Sequence, residues 1–147
     1  MNLSEHFTLE ELVCSQTAAR KNLDNTPSDL VIANLKLLCE NILEPLRTLF
    51  DCPIHIDSGY RSIAVNQAVG GSATSQHCLG KAADLIIPSL SVSEVNTKIK
   101  EAVKNGLPVD QLIREYESWN HVSFNGTQGR KDFLYITNSS HGYVHDI

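Results

Sequence analysis

The sequence predicts an α+β domain in which N-terminal helices pack on a small, mainly antiparallel sheet. Three observations carry that expectation. Residues 31–49 place apolar side chains at helical spacing. Residues 54–57 and 82–87 are apolar runs of strand length. The last third holds three β-like stretches separated by turn residues.

Thr8 and Glu11 match a capping box, with Phe7 and Leu12 at staple spacing, so a short helix starts there. Thr26-Pro27 opens a second helix, with proline at its first position. Val31, Leu35, Leu38, Ile42, Leu46 and Leu49 recur every three or four residues and form its apolar face. Pro45 lies inside that pattern and predicts a kink or break near Leu43. Residues 54–57 (IHID) read as a strand, and residues 62–69 as a short helix stopped by Gly70-Gly71. A polar loop carrying His77 follows, then a buried strand over 82–87 that Pro88 ends. Ser91 and Glu94 form another capping box; the helix behind them runs to about Asn105, where Gly106 caps it. DQLIREY, NHVSFN and DFLYIT read as strands, the first two as a hairpin. Residues 1–147 make one domain, with about 138–147 as a loose tail.

Composition narrows the function. A chain of 147 residues, 41% hydrophobic, suits one folded domain. The net charge of −5 argues against nucleic acid or an anionic membrane as partner. No stretch is long and apolar enough to span a bilayer. The opening MNLSEHFTLEEL lacks the basic and apolar regions of a signal peptide, so synthesis in the cytoplasm is expected, as is a monomer. Cys14, Cys39, Cys52 and Cys78 form no C-x-x-C pair, which predicts free thiols and excludes a zinc ribbon.

Asp84 begins the chemistry. An acid inside an apolar strand needs a partner, either a cation or a metal. Arg61 or Lys81 could pair with it in a plain ion pair. A zinc site is the alternative: His77 and Asp84 supply two ligands, and His121, on a strand beside Asp84, supplies the third. Glu115 and Glu117 precede His121 with its parity, so either could serve as general base.

Three ordered elements carry a resemblance. S-G-Y-R-S (Ser58–Ser62), S-x-H-x-x-G-x-A-x-D (Ser75, His77, Gly80, Ala82, Asp84) and W-x-H (Trp119, His121) resemble the zinc D-Ala-D-Ala carboxypeptidases, in a fold group that includes the hedgehog signalling domain and phage endolysins. The lead-in HFTLEELVCSQTAARKNLDNTP looks like a small bacterial and phage branch, and the likeness extends to about Phe124. It implies Zn2+ held by His77, Asp84 and His121. It implies Arg61 in the cleft, stabilising the substrate carbonyl or oxyanion, and Ser75 on the substrate. It implies a peptidase cutting peptidoglycan stem peptides at or near D-alanine, as carboxypeptidase or endopeptidase, and so acting on the cell wall. Such an enzyme would be a phage lysis enzyme released through late membrane holes, or would travel with the virion. Many relatives place a catalytic Glu three residues before the last histidine, where Ser118 stands here. Glu115 resembles the acid of the small branch, Glu117 stays open, and a hairpin bulge would bring either to the metal. The alternative is a non-catalytic zinc-containing binding module of the same fold.

Remaining candidates have simpler readings. Cys78 reads as a small buried hydrophobe. Tyr60 and Trp119 are each either a substrate contact or a core residue. His55 faces the cleft side of its strand, His6 lies on the surface, and His141 and His145 belong to the tail. No G-x-S-x-G turn supports a serine hydrolase.

Overall fold

A computed structural model describes residues 1–146. Its helices are α1 (Leu9–Val13), α2 (Gln16–Lys21), α3 (Asp29–Leu38), α4 (Glu44–Phe50), α5 (Ile63–Ala68) and α6 (Val92–Lys104). Its strands are β1 (His55–Ser58), β2 (Ala82–Ile86), β3 (Gln111–Glu115), β4 (Trp119–Ser123), β5 (Asp132–Ile136) and β6 (Val144–His145). They form one sheet in the order β1-β2-β4-β3-β5-β6. Only the β3–β5 pair is parallel, so the sheet is mixed but mainly antiparallel.

Local signals explain most boundaries. Both capping boxes form, at Thr8/Glu11 and at Ser91/Glu94. Phe7 and Leu12 are buried together in the core, as a staple requires. The second predicted helix begins later than Thr26-Pro27: Ser28 is its cap, its Oγ accepting from the Val31 N–H at 3.2 Å. Thr26 is instead held by Asp24, whose Oδ1 accepts from its backbone and its hydroxyl. The predicted break at Pro45 is a turn of π-helix, Cys39–Leu43, closed by the Glu44 N–H donating to the Cys39 carbonyl. Proline then sits in the first turn of α4, directly after the π turn. Leu49, expected on the buried face, is 47% exposed, while Phe50 packs against the core.

The two faces of the sheet differ. Ala83, Leu85, Leu112 and Val122 point to the helices and join Leu12, Leu35, Leu38, Ile42, Leu46 and Ile99 in the core. Asn120 shares that face and is satisfied by α6: it accepts from Asn96 Nδ2 at 2.8 Å and donates to the Val92 carbonyl at 3.0 Å. Asp84, His121 and Glu115 point the other way, into a cleft. Three features go beyond the sequence expectations. Helix α2 carries no predicted element. The polar loop around His77 contains a 3-10 turn, Gln76–Leu79. Part of the tail is ordered, with β6 paired to β5. Among the described residues no helix is long and apolar enough to cross a membrane, and all four cysteines are free.

Candidate metal centre

The site is built by one strand pairing and one turn. In the β2–β4 ladder Asp84 lies directly opposite His121, so their side chains rise side by side from the cleft face. The third member arrives from the 3-10 turn, which Ser75 caps with its Oγ accepting from the His77 N–H at 3.2 Å. Gly80, at φ +72°, ends that turn, and a Cβ there would lie 2.8 Å from the Val31 carbonyl oxygen. His77, Asp84 and His121 are 2%, 5% and 6% exposed, and one ligand atom of each lies within 4.8 Å of the others.

Proton bookkeeping shows what the trio lacks. The Gly59 carbonyl lies 2.7 Å from His77 Nδ1 and can only accept, which leaves Nε2 with its lone pair. That Nε2 sits 3.2 Å from Asp84 Oδ1 and 3.2 Å from His121 Nδ1, with the latter 3.1 Å from the same Oδ1. A neutral His121 brings one proton to this group of three acceptors. If Nδ1 holds it, the buried Nε2, which has no partner, is left bare. Three converging acceptors with too few donors fit a cation, and two imidazoles plus one carboxylate is a zinc donor set. Burial alone would raise Asp84, yet His77 and His121 outweigh it and hold the carboxyl well below the usual range. Arg61 and Lys81 make no ion pair with Asp84, so the plain ion-pair alternative fails.

The cleft above has a volume of about 810 Å³. Glu115 shares the cleft face with the trio through an unbroken β3–β4 register, Ile113 opposite His121 and Glu115 opposite Trp119. No bulge is involved. Trp119 Nε1 donates to Glu115 Oε2 at 2.9 Å. Burial first, then the charge of Asp84, raises the Glu115 carboxyl, while His121 and the indole bond oppose the rise. Glu117 lies elsewhere: it is exposed at the hairpin tip, accepting from Arg114 Nη1 at 2.7 Å and from Ser93 Oγ at 3.0 Å. Ser118, also in the turn, donates to the Tyr116 carbonyl. Tyr116 and Glu117 both have positive φ, and the Ser118 N–H donates to the Glu115 carbonyl at 2.9 Å, the geometry of a type I′ turn.

Arg61 and Ser75 meet at the rim, Arg61 Nη2 donating to Ser75 Oγ at 3.3 Å, while Arg61 Nε is buried without a partner. Trp119 and His55 line the cleft. Tyr60, weighed as a substrate contact, is a core residue instead, 9% exposed with its N–H on the Leu12 carbonyl at 2.7 Å. Cys78 is partly buried and its thiol is raised by burial; it stays outside the trio. His6 lies at the surface against Glu44, and His145 is exposed.

Two supporting residues escaped sequence reasoning. Asn25 donates to the Val13 and Tyr60 carbonyls and accepts from the Ser62 N–H at 2.7 Å, holding the Arg61 segment against α1. Asp110, 2% exposed, accepts from Gln76 Nε2, Asn125 Nδ2 and three nitrogens of Arg130. It ties the His77 turn to β3. Hydrogen bonds from Arg130 pull its carboxyl down to about 2, against burial. Both are polar residues in loops, where hydropathy patterns carry no signal.

Fold and site together define an α+β domain with a candidate mononuclear metal centre on the open face of its sheet. The profile of the peptidase M15 family matches residues 5–123, and the chain belongs to that family. No curated protein matches it at a significant level. The peptidases of this family are zinc-dependent, in agreement with the donor set.

Proposed function

We propose that this chain is a zinc peptidase of the cell wall, cutting peptidoglycan stem peptides at or near D-alanine. One observation carries the reading: three buried ligand atoms converge on the floor of a cleft, with a half-buried carboxylate, Glu115, on the same sheet face. His77 Nε2, Asp84 Oδ1 and His121 Nδ1 would hold the ion. Zinc bound there supplies Lewis acidity and an acidified water. Glu115 Oε2 is occupied by the Trp119 indole, which leaves Oε1 to take a proton and pass it to the leaving amine. Arg61, whose Nε has no partner, would hold negative charge as it develops on the substrate carbonyl. Ser75, fixed by Arg61 and by the His77 N–H, would contact the substrate backbone.

The binding-module alternative rested on Ser118 standing where many relatives carry their acid. A half-buried Glu115 on the same cleft face as the candidate ligands supports catalysis instead. The test is metal analysis of the purified protein together with a digest of purified cell wall, following new amino termini. Absence of both metal and product would remove this reading.

A further inference from the structure

Three aromatic side chains gather at the Glu115 end of the cleft: Tyr116, Trp119 and Tyr143. Trp119 holds Glu115, and Tyr116 meets its ring edge-on, centroids 6.3 Å apart. Tyr116 keeps its place at a cost, since φ +55° is strained for a bulky residue. Tyr143 arrives from beyond residue 123, outside the stretch that matches the family.

Register explains how it reaches the site. In the β5–β6 pair Leu134 lies opposite His145 and Tyr135 opposite Val144. Tyr143 directly precedes β6, on the side of the pair toward Ile136. Ile136 lies beside Glu115 in the parallel β3–β5 pair. Trp119, Glu115 and Ile136 form one row across the sheet, next to the row containing His121, and Tyr143 lines the cleft with Glu115 and Trp119. Three contacts fasten the segment. The Asp146 N–H donates to the Phe133 carbonyl at 2.7 Å, and the Asp146 carboxylate pairs with Lys100 Nζ at 3.2 Å and Arg114 Nη2 at 3.6 Å. Tyr143 is thus preset on the rim, 57% exposed, and substrate need not order it. Burial and then the Glu115 charge raise its phenol, so it remains a protonated donor.

We infer that residues 137–146 form a substrate strap, and that Tyr143 contacts the part of the peptide lying beyond the scissile bond. Its ring completes an aromatic wall with Tyr116 and Trp119, and its hydroxyl donates to a substrate oxygen. The side of the bond follows from Glu115, which hands its proton to the leaving amine, so atoms next to Glu115 belong to the departing half. This rests on the peptidase reading above.

Trp119 is the only tryptophan of the chain, so its emission reports occupancy of the wall. Zinc-supplemented Glu115→Gln protein would be titrated with a synthetic stem pentapeptide ending in D-Ala-D-Ala and with the tetrapeptide lacking the last residue. Adding Tyr143→Ala should weaken pentapeptide binding about tenfold or more, and Tyr143→Phe about threefold to tenfold, the net worth of one hydrogen bond. Both variants should leave the tetrapeptide affinity unchanged. Equal pentapeptide affinity with and without Tyr143 overturns the strap and leaves the peptidase reading standing. An equal loss on both peptides overturns the assignment to the departing half. Absence of saturable binding in the parent protein removes the peptide reading, and the strap with it.

Discussion

Asp84 and His121 stand directly opposite each other on neighbouring antiparallel strands, Oδ1 to Nδ1 3.1 Å. The ladder therefore sets two of the three candidate ligand positions before any loop is placed. Purified protein should hold about one zinc per chain. His77→Ala, Asp84→Ala and His121→Ala should each abolish tight binding, measured by mass spectrometric metal analysis after dialysis. Full occupancy in His121→Ala would exclude this ligand set. Chelation should lower the melting temperature of the wild type, because binding to the folded state alone stabilises it by mass action.

Glu115→Gln should bind zinc normally and lose on the order of 10²-fold or more in rate on a stem peptide, the range for a missing general base. Glu117→Gln should keep most activity, since its partners are Arg114 and Ser93 at the surface. The reverse pattern would move the base to the hairpin tip.

Asp110 predicts an acid transition. Its folded value, about 2, lies below the ordinary 3.8, so its stabilisation is full above pH ~4 and is lost as pH falls toward 2. The shift corresponds to roughly 2 kcal/mol. Asp110→Asn should flatten the pH dependence of stability across that window in denaturant titrations, and should weaken zinc binding through the released Gln76 turn. A wild-type slope retained in the variant would place the titration elsewhere.

Gly59 is open to a backbone test. An added Cβ would lie 2.2 Å from the Leu12 carbonyl oxygen, so Gly59→Ala must move the strand end. Its own carbonyl orients His77 through Nδ1. The variant should lose stability and also zinc affinity, read by competition with a chromogenic chelator. Unchanged affinity would show that His77 is oriented without it.

Legibility followed the range of the interactions. Thr8 and Ser91 announced their helices because a cap is a contact over three residues. His77, Asp84 and His121 were grouped through the ordered motifs that resemble a known family, and the β2–β4 register then sets Asp84 and His121 on one face. Pro45 marked the break, though not its π character. The start at Ser28 was missed because proline and serine both signal a helix entry, and Asp24 decides between them by binding Thr26. Tyr60 was open between cleft and core, and its backbone bond to the Leu12 carbonyl goes with a core position. Asp110, Asn25 and Tyr143 depend on partners 12 to 37 positions away or on a register two strands removed, and no local pattern encodes that.

The parallel β3–β5 pair has a consequence for self-association. All three candidate ligands and Glu115 lie before residue 124, within the family-matched stretch, yet β3 is hydrogen-bonded on its far side by β5. Without β5 and β6, β3 would become a bare edge of five residues with unpaired amides, beside apolar surface once covered by Phe133 and Leu134. Such an edge is a template for another chain. A polypeptide ending at residue 123 should thus keep its zinc ligands but form strand-paired oligomers, visible by light scattering. The last two strands therefore also serve the protein as its safeguard against aggregation.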